Sequence, residues 1–373
     1  MSALSEVLAG VSLSLSGRFR LQGQEALNGI RLWVDQTSPF LPLRLNVLDD
    51  ESRSEQAREN VLRLLTRDRV DLLFGPYSSV LTMAAAPIAE AHRKILWNHG
   101  GASDAIYEQG WRNLVNMPTP ASDYLRALPL LVRQRDHGIS RISILHAKAA
   151  SFAAHVARGA AEGAKAAGFV YIQVNPFDSP ITDPGALLQE AFVGEPELLI
   201  VVGSFQDDVA ILRQRGRLSN VKALCVVAAG LGAIHSEVGS LAEGVIAPSQ
   251  WEPGVSDGPV VGPDWGWFVS EYRRRFDEIP DYPAAQAFAV GVVFAECLRR
   301  AGGLEDDRLL AAAHDLQTAT FFGRFQIDPG TGKQIGHRTV LVQWRRGEKV
   351  IIWPPEVATA ELSYPFSPHQ SPS

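Results

Sequence analysis

The stretch DLLFGPYSSV, Asp71–Val80, contains an apolar run, a Gly-Pro turn, and then a tyrosine and two serines. A related pattern follows in KILWNHGGASD, Lys94–Asp104, where an apolar run leads into a histidine, two glycines and a serine. Each pattern predicts a buried strand that ends in a small polar loop, and each loop opens a helix.

Strands and helices alternate on both sides of these loops. Before them, the sequence predicts strands at 7–15 and 43–49, with amphipathic helices at 24–36 and 54–67. A second series begins after NMPTPAS, 116–122, and its strands, such as ISILHA and LLIVVG, are continuous apolar runs. Such runs are typical of strands covered on both faces, so the alternation predicts two parallel α/β sheets flanked by helices.

Length and composition support a two-lobed globular protein. A chain of 373 residues is too long for one ordinary hydrophobic core. Hydrophobic residues make up 46% of the chain and charged residues 20%, and the net charge of −6 gives no reason to expect a nucleic-acid partner. No apolar run approaches the length of a membrane span, so we predict none.

The two cysteines, Cys225 and Cys297, each lie in an apolar run and are expected to be buried free thiols. A disulfide between them stays open at this point, because spacing alone cannot establish one. The N-terminus has no basic segment or cleavage site before the first strand. Either a signal peptide is missing from this sequence or the protein is made without one.

Motifs for catalysis are not found. The GTGK sequence at 330–333 lacks the spacing of a phosphate-binding loop and lies between predicted strands, so we interpret it as a hairpin turn. No nucleophile elbow, zinc-protease motif or dinucleotide fingerprint occurs, and the loop serines have no paired base in the sequence. We therefore expect no enzymatic activity, no cofactor and no metal.

The two polar loops are the best candidates for a binding site. In open α/β sheets, ligands bind beyond the carboxyl ends of the strands, where helix N-termini present free N–H groups. Ser78-Ser79 and Ala102-Ser103 could therefore hold a carboxylate or carbonyl oxygen, with His99 beside them. The alternative is that these serines only cap helices. Trp251 and Tyr282 could line the same site, although Trp251 could equally be a core residue.

The ordered segments of the chain resemble the Leu/Ile/Val type of periplasmic binding protein, which has the type I fold and serves branched-chain amino acid and amide ABC transporters. The segments include SLSGRFRLQGQEALNGIRLWVD, VDLLFGPYSSVLTMAAAPIAEAHRKIL, GGASDAIYEQG, YPAAQAFAVGVVFAECLRRAG and FGRFQID. The resemblance implies two lobes with three inter-lobe crossings. The implied division is 1–121 with 252–324, 122–251 with 325–364, and a flexible tail at 365–373.

The resemblance also implies a function. A protein of this family captures a small polar molecule, such as an amino acid, amide or small carboxylate, between two lobes that close like a hinge. It then delivers that molecule to an ABC transporter permease, which implies a periplasmic or extracytoplasmic location. The alternative is a cytoplasmic small-molecule sensor of the amide type on the same fold, made without a signal peptide. The oligomeric state stays open.

The binding residues of the family map onto particular positions of this chain. The carboxylate-binding serine falls on Ser79, the second carboxylate-binding loop on Ala102 and Ser103, and the residue before the first-helix glycine on Gln22. The second-lobe aromatic falls on Ser204 or Phe205, and a covering residue on Ser151 or Phe152. The expected ligand-binding residues are Gln22, Tyr77, Ser78, Ser79, His99, Gly101, Ala102, Ser103, Phe152, Phe205, Ala229, Trp251, Glu252 and Tyr282.

One position departs from the family pattern. Where amino-acid binders place an acidic residue against the ligand ammonium, this chain has Ala229. An unpaired ammonium would be costly in a dry site, so amides, ureas and carboxylic acids without an amine become candidates. An amino acid remains a candidate only if Glu252, Asp207 or Asp208 supplies the missing carboxylate.

Overall fold

The computed structural model describes residues 6–256 and 258–368, and the chain divides into two compact units. The first unit comprises Met1–Pro120 and Pro253–Arg338, and the second comprises Ala121–Glu252 and Thr339–Ser373. The chain therefore passes between the units three times, as the family resemblance implies.

Both units consist of β-strands that alternate with helices. The strands are β1 (Val7–Leu13), β2 (Leu43–Asp49), β3 (Leu72–Phe74), β4 (Leu96–Asn98), β5 (Leu114–Asn116), β6 (Arg141–Ala147), β7 (Tyr171–Phe177), β8 (Leu198–Val202), β9 (Ala223–Val226), β10 (Ile246–Ser249), β11 (Thr318–Thr320), β12 (Gly323–Phe325), β13 (Val340–Arg345) and β14 (Glu348–Trp353). The α-helices are α1 (Arg20–Thr37), α2 (Ser54–Thr66), α3 (Ser79–Ala91), α4 (Leu128–Arg135), α5 (Ser151–Ala166), α6 (Pro184–Ala191), α7 (Phe205–Leu212), α8 (Ala233–Val238), α9 (Trp265–Phe276), α10 (Tyr282–Ala301) and α11 (Asp306–Asp315).

The main sheet of the first unit is parallel, with strand order β2-β1-β3-β4-β5. In the register, Ala9 of β1 lies between Leu45 of β2 and Leu72 of β3. The chain leaves β1 for β2 on one side and then crosses to β3 on the other. The carboxyl ends of β1 and β3 therefore form a topological switch point, where open α/β sheets bind ligands.

Close packing of α1 against α10 stabilises this unit. A Cβ atom added to Gly29 of α1 would lie 2.2 Å from the Ala284 carbonyl oxygen. A Cβ atom on Gly291 of α10 would lie 2.3 Å from the Trp33 ring. Only glycine allows the two helices to approach this closely, so the small residues in both helices are required by packing.

The sheet of the second unit is mixed, with strand order β14-β13-β10-β9-β8-β6-β7. The strands from β10 to β7 are parallel, as predicted, whereas β13 and β14 add antiparallel to β10. A tight turn at Arg346 and Gly347, with φ of 53° and 78°, joins β13 to β14. The hairpin of β13 and β14 therefore extends the sheet, and the lobe is not purely parallel. The predicted hairpin turn at GTGK is flanked by the antiparallel bridge between Ile327 and Gln334, whereas β12 pairs with β11 and not with β13.

The third passage between the units lies later in the chain than the predicted boundary at 324/325. Residues 325–338 belong to the first unit. Asn116 donates to the Gly332 carbonyl at 2.7 Å, and the Thr119 hydroxyl lies 2.6 Å from Nδ1 of His337. These side chains hold the segment against the end of β5, a long-range contact that the local sequence pattern could not reveal.

The predicted flexible tail, 365–373, lies partly outside the described residues. Its first part is held in place, because the Arg215 guanidinium donates to the carbonyl oxygens of Ser367 and Pro368. Phe366 is 6% exposed and lies under the same guanidinium, 4.4 Å from the ring centroid. Residues up to 368 are therefore an ordered part of the second unit.

Other sequence expectations concern the helices and thiols. None of the helices within residues 6–256 and 258–368 has the length and apolar character needed to cross a membrane.

Cys225 on β9 and Cys297 on α10 are both buried and free, as predicted. Burial raises the pKa of the Cys297 thiol to about 12, so this thiol is unreactive at neutral pH.

Candidate functional site

Ser79 joins the two polar loops of the first unit. It is the first residue of α3, and its Oγ accepts hydrogen bonds from the backbone N–H groups of Ala102 at 3.1 Å and Ser103 at 2.9 Å. The loops that follow β3 and β4 are therefore in direct contact. Because the hydroxyl oxygen accepts both bonds, the hydroxyl hydrogen of Ser79 remains to be donated.

Helix capping does not explain the loop serines. Ser78 occupies the N-cap position of α3 but makes no side-chain capping bond, and Ser103 makes none to the 3-10 helix at Asp104–Gln109. Ser78 has φ of 93° and ψ of 150°, a conformation that costs a non-glycine residue about 1–3 kcal/mol. Its buried Oγ has no hydrogen-bond partner within residues 6–256 and 258–368. Such strain beside an unpartnered hydroxyl is typical of a ligand site.

Asn98, a residue that sequence reasoning missed, fixes the second loop. Its Nδ2 donates to the Gly101 carbonyl at 2.7 Å and to Asn116 Oδ1 at 2.5 Å, and its Oδ1 accepts from Gly101 N at 2.8 Å. A Cβ atom on Gly101 would lie 2.4 Å from Oγ1 of Thr82, so glycine is required. The sequence did contain a signal for this role, because Asn98 is a polar residue directly after the apolar run 95–97.

His99 is fully buried beside this network. Burial lowers the pKa of its imidazole to about 4, and the nearby backbone of Gly75 opposes this shift only in part. Neither ring nitrogen makes a hydrogen bond of normal geometry within the described part of the chain. His99 is therefore neutral at physiological pH and contributes no positive charge to the site.

Gln22 provides another polar group in the same unit. It lies in the first turn of α1 and is 8% exposed. Its Oε1 has no hydrogen-bond partner among the residues that the structure describes. A buried amide oxygen without a donor costs free energy, so this position is suited to a ligand that donates a hydrogen bond.

Aromatic side chains accompany these polar groups. The hydroxyl oxygens of Tyr77 and Tyr282 are 3.2 Å apart, and the Phe19 ring lies edge-on to Tyr77 at 6.3 Å. Burial raises the pKa of Tyr77 to about 12, with smaller contributions from the charges of Glu25 and Asp281. Tyr77 is therefore protonated, and two carboxylates lie near it.

In the second unit, the aromatic residues that were expected to bind a ligand differ in exposure. Phe152 on α5 is half-buried and packs edge-on against Tyr124 at 5.2 Å. Phe205 is half-buried at the start of α7. Trp251 is 1% exposed, and its carbonyl accepts from the Ser249 hydroxyl at 2.8 Å. Trp251 thus has the burial of a core residue, whereas Phe152 and Phe205 remain accessible.

A buried ion pair lies near Ala229 in the second unit. The carbonyl of Ala229 accepts from Nε1 of Trp344 at 2.7 Å. Nζ of Lys349 lies 2.7 Å from Glu252 Oε1 and also donates to the Gly230 carbonyl at 2.9 Å. The carboxylate of Glu252 is therefore already neutralised by a lysine.

The two aspartates of α7 also have protein partners. Asp207 forms a capping box with Ser204, and its hydrogen bonds lower its pKa although burial opposes them. Burial raises the pKa of Asp208 to about 8, although its carboxyl accepts two backbone N–H bonds that oppose the shift. All three acids considered as substitutes for the missing carboxylate therefore have partners within the second unit.

Comparison with known proteins agrees with this architecture. A family model described as periplasmic binding protein matches residues 6–349. Leu/Ile/Val-binding protein homolog 8 of Brucella abortus (strain 2308) is 24% identical over 386 residues, which cover 97% of this chain and 94% of the relative.

Two solved structures share the fold. The leucine binding protein LivK from Thermotoga maritima has a TM-score of 0.82 at 18% identity, covering 92% of this chain and 97% of that protein. A solute binding protein of an ABC transporter from R. palustris, in complex with benzoate, has a TM-score of 0.80 at 17% identity, covering 93% and 96%. With the family model spanning nearly the whole chain, the protein belongs to the periplasmic binding protein family.

Proposed function

We propose that this protein is a solute-binding protein that captures a small polar molecule outside the cytoplasm and delivers it to an ABC transporter permease. The observation that carries the proposal is the junction of two polar loops at Ser79, at the carboxyl ends of β3 and β4. This junction lies where open sheets bind ligands, and among the described residues no base is hydrogen-bonded to the hydroxyl of Ser78 or Ser79. We therefore expect binding without turnover.

The first unit offers hydrogen-bond donors to an anionic or carbonyl oxygen. The hydroxyls of Ser78 and Ser79 lie at the N-terminus of α3, a helix of 13 residues. The unpaired N–H groups and the dipole at a helix N-terminus favour negative charge. Ser78 has no protein acceptor within the described ranges, so a ligand oxygen would satisfy its hydroxyl.

The second unit favours a ligand without an ammonium group. Ala229 carries no charge, and Glu252 is held by Lys349. A neutral or aromatic body would pack against Phe152 and Phe205 without a desolvation penalty. We propose a small carboxylate or amide as the ligand, and the benzoate complex of the R. palustris protein is consistent with that class.

An amino acid is the second candidate ligand, and one observation favours it. Glu25 and Asp281 lie close enough to Tyr77 to raise the pKa of its hydroxyl. The negative charge of these two carboxylates would favour a ligand ammonium in this part of the first unit, although both side chains also interact with the protein. The leucine binding protein among the structural neighbours represents this class.

A thermal-shift panel separates the two ligand classes. Leucine, isoleucine and valine are compared with their deaminated acids, the corresponding amides, benzoate and benzamide. Ligands that bind the native state raise its stability by RT ln(1 + [L]/Kd). We expect the acids or amides to raise the melting temperature more than the amino acids do. A strong shift with leucine or valine and none with the deaminated acids would contradict the carboxylate proposal.

Replacing Ser79 by Ala should weaken binding of the best ligand of this panel about 10- to 100-fold, the effect of losing a buried donor to a strongly polar partner. The change also leaves the N–H groups of Ala102 and Ser103 without their acceptor. Isothermal titration calorimetry measures the affinity. Ser143→Ala is the control, because this buried hydroxyl on β6 has no partner in the described chain. Equal affinities for both variants and the parent would remove Ser79 from the site.

A further inference from the structure

The first turn of α7 carries two adjacent buried carboxyl groups. Asp207 is 1% exposed and Asp208 is fully buried. One capping residue is sufficient to start a helix, and Ser204 already accepts from the Asp207 N–H at 3.2 Å. The remaining contacts of the two carboxyl groups therefore need another explanation.

Asp208 links the loops that follow β8 and β9. Its Oδ1 accepts from the backbone N–H of Gly203 at 2.9 Å, and its Oδ2 accepts from the backbone N–H of Ala228 at 2.8 Å. Gly203 directly follows β8, and Ala228 lies in the 3-10 turn Val227–Gly230 after β9. Each carboxyl oxygen of Asp208 therefore accepts a hydrogen bond from a different loop.

Asp207 links the loop that follows β7 to the start of α7. Its Oδ1 accepts from the Ile181 N–H at 2.7 Å, and its Oδ2 accepts from the Ser179 hydroxyl at 2.5 Å. The same Oδ2 accepts from the N–H of Ser204 at 2.9 Å. Two consecutive residues thus contact all three loops at the carboxyl ends of β7, β8 and β9.

We propose that Asp207 and Asp208 are positioning residues that hold these three loops in the shape required for ligand binding. The role rests on the proposed function, because Phe205 and Ala229 lie in the clamped segments. Loops that are already ordered lose less conformational entropy when a ligand binds. An Asp-to-Asn change leaves one acceptor and introduces a donor facing an N–H group, so it releases one loop while keeping the side-chain size.

Hydrogen–deuterium exchange tests the clamp without a ligand. Labelling is done above the pKa of Asp208, where its carboxyl is ionised; Asp207 and Cys225 are the titratable groups whose charges interact with it. Asp208→Asn should speed exchange several-fold in 203–205 and 227–230, and Asp207→Asn should do so in 179–181. The sheet should keep its protection in both variants. Asp183→Asn is the control, because Asp183 caps α6 through Ala186 N at 3.0 Å.

Binding of benzoate and of leucine then tests the functional role. At the same pH as the exchange experiment, whichever compound binds the parent protein should bind Asp208→Asn about tenfold more weakly, and Asp183→Asn with the affinity of the parent. Unchanged exchange in the loops, or faster exchange throughout the unit, would overturn the clamp. Faster loop exchange with unchanged affinity would overturn the positioning role. If neither compound binds the parent, the best ligand of the thermal-shift panel takes their place, while the exchange data still decide the clamp.

Discussion

Replacing Lys349 by Met should destabilise the second unit by about 3–5 kcal/mol, the cost of removing one partner from a buried ion pair. The side chains of Lys349 and Glu252 are only 11% and 9% exposed, and their charged atoms are 2.7 Å apart. Without the lysine, the buried carboxylate of Glu252 loses the ammonium that lies 2.7 Å away. Urea unfolding followed by circular dichroism measures the loss of stability.

Two further variants make this result specific. Adding Glu252→Gln to Lys349→Met should recover much of the lost stability, because the amide carries no charge to bury. Lys148→Met is the matched control, since its partner Asp178 is exposed and such pairs contribute at most about 1 kcal/mol. If Lys148→Met and Lys349→Met lower the free energy of unfolding by similar amounts, the buried ion pair contributes no more to stability than the exposed one.

Acidification should destabilise the first unit through His99. The pKa of the imidazole is about 4 in the folded protein and 6.5 in the unfolded chain. Between these values the unfolded state binds more protons, so the contribution of His99 is intact above pH 6.5 and is lost as the pH falls toward 4. At about 1.4 kcal/mol for each pKa unit, the loss reaches about 3 kcal/mol.

The difference between the parent and His99→Gln isolates this effect from other acid-sensitive groups. Stability measured by urea unfolding from neutral pH to pH 4 should fall less steeply in the variant. His146→Gln is the comparison, because that ring on β6 is only half-buried and its pKa is lowered by the same cause to a lesser extent. Parallel pH profiles for the parent and His99→Gln would contradict the assignment.

Much of the fold could be predicted from the sequence because local patterns of apolar and polar residues determine most strands and helices of each unit. Apolar runs gave the strands β2 and β8 with their observed limits, and the two polar loops were recognised by their glycines and serines. The strands β5 and β10 were missed, because β5 has only Leu114 and Val115 before a polar residue and β10 contains Pro248, a residue that argues against a strand interior. The end of the first unit was missed because Asn116 and Thr119 contact residues more than 200 positions away.

The site was less predictable than the fold for a similar reason. Loop chemistry identified Ser78 and Ser79, but nothing local showed that Ser78 is strained or that Ser79 joins the loops. Glu252 was considered free to meet a ligand, whereas its partner Lys349 lies 97 residues later. The partner of a charged residue is often distant in the sequence and is identified only in the folded structure. The sequence alone therefore cannot predict whether an acidic side chain is able to contact a ligand.

The division of each unit between distant segments has a consequence for synthesis. Helix α1 emerges from the ribosome early, but its packing partner α10 begins only at Tyr282. The second sheet lacks β13 and β14 until residues 340–353 have been synthesised, and the guanidinium of Arg215 lacks two of its acceptors until Ser367 and Pro368 have been made. Neither unit can complete its core before its later segment has been synthesised, although domains often fold in order from the N-terminus. The first segment of each unit therefore exposes part of its apolar surface until its later segment arrives, and removal of residues 340–368 should impair folding of the second unit.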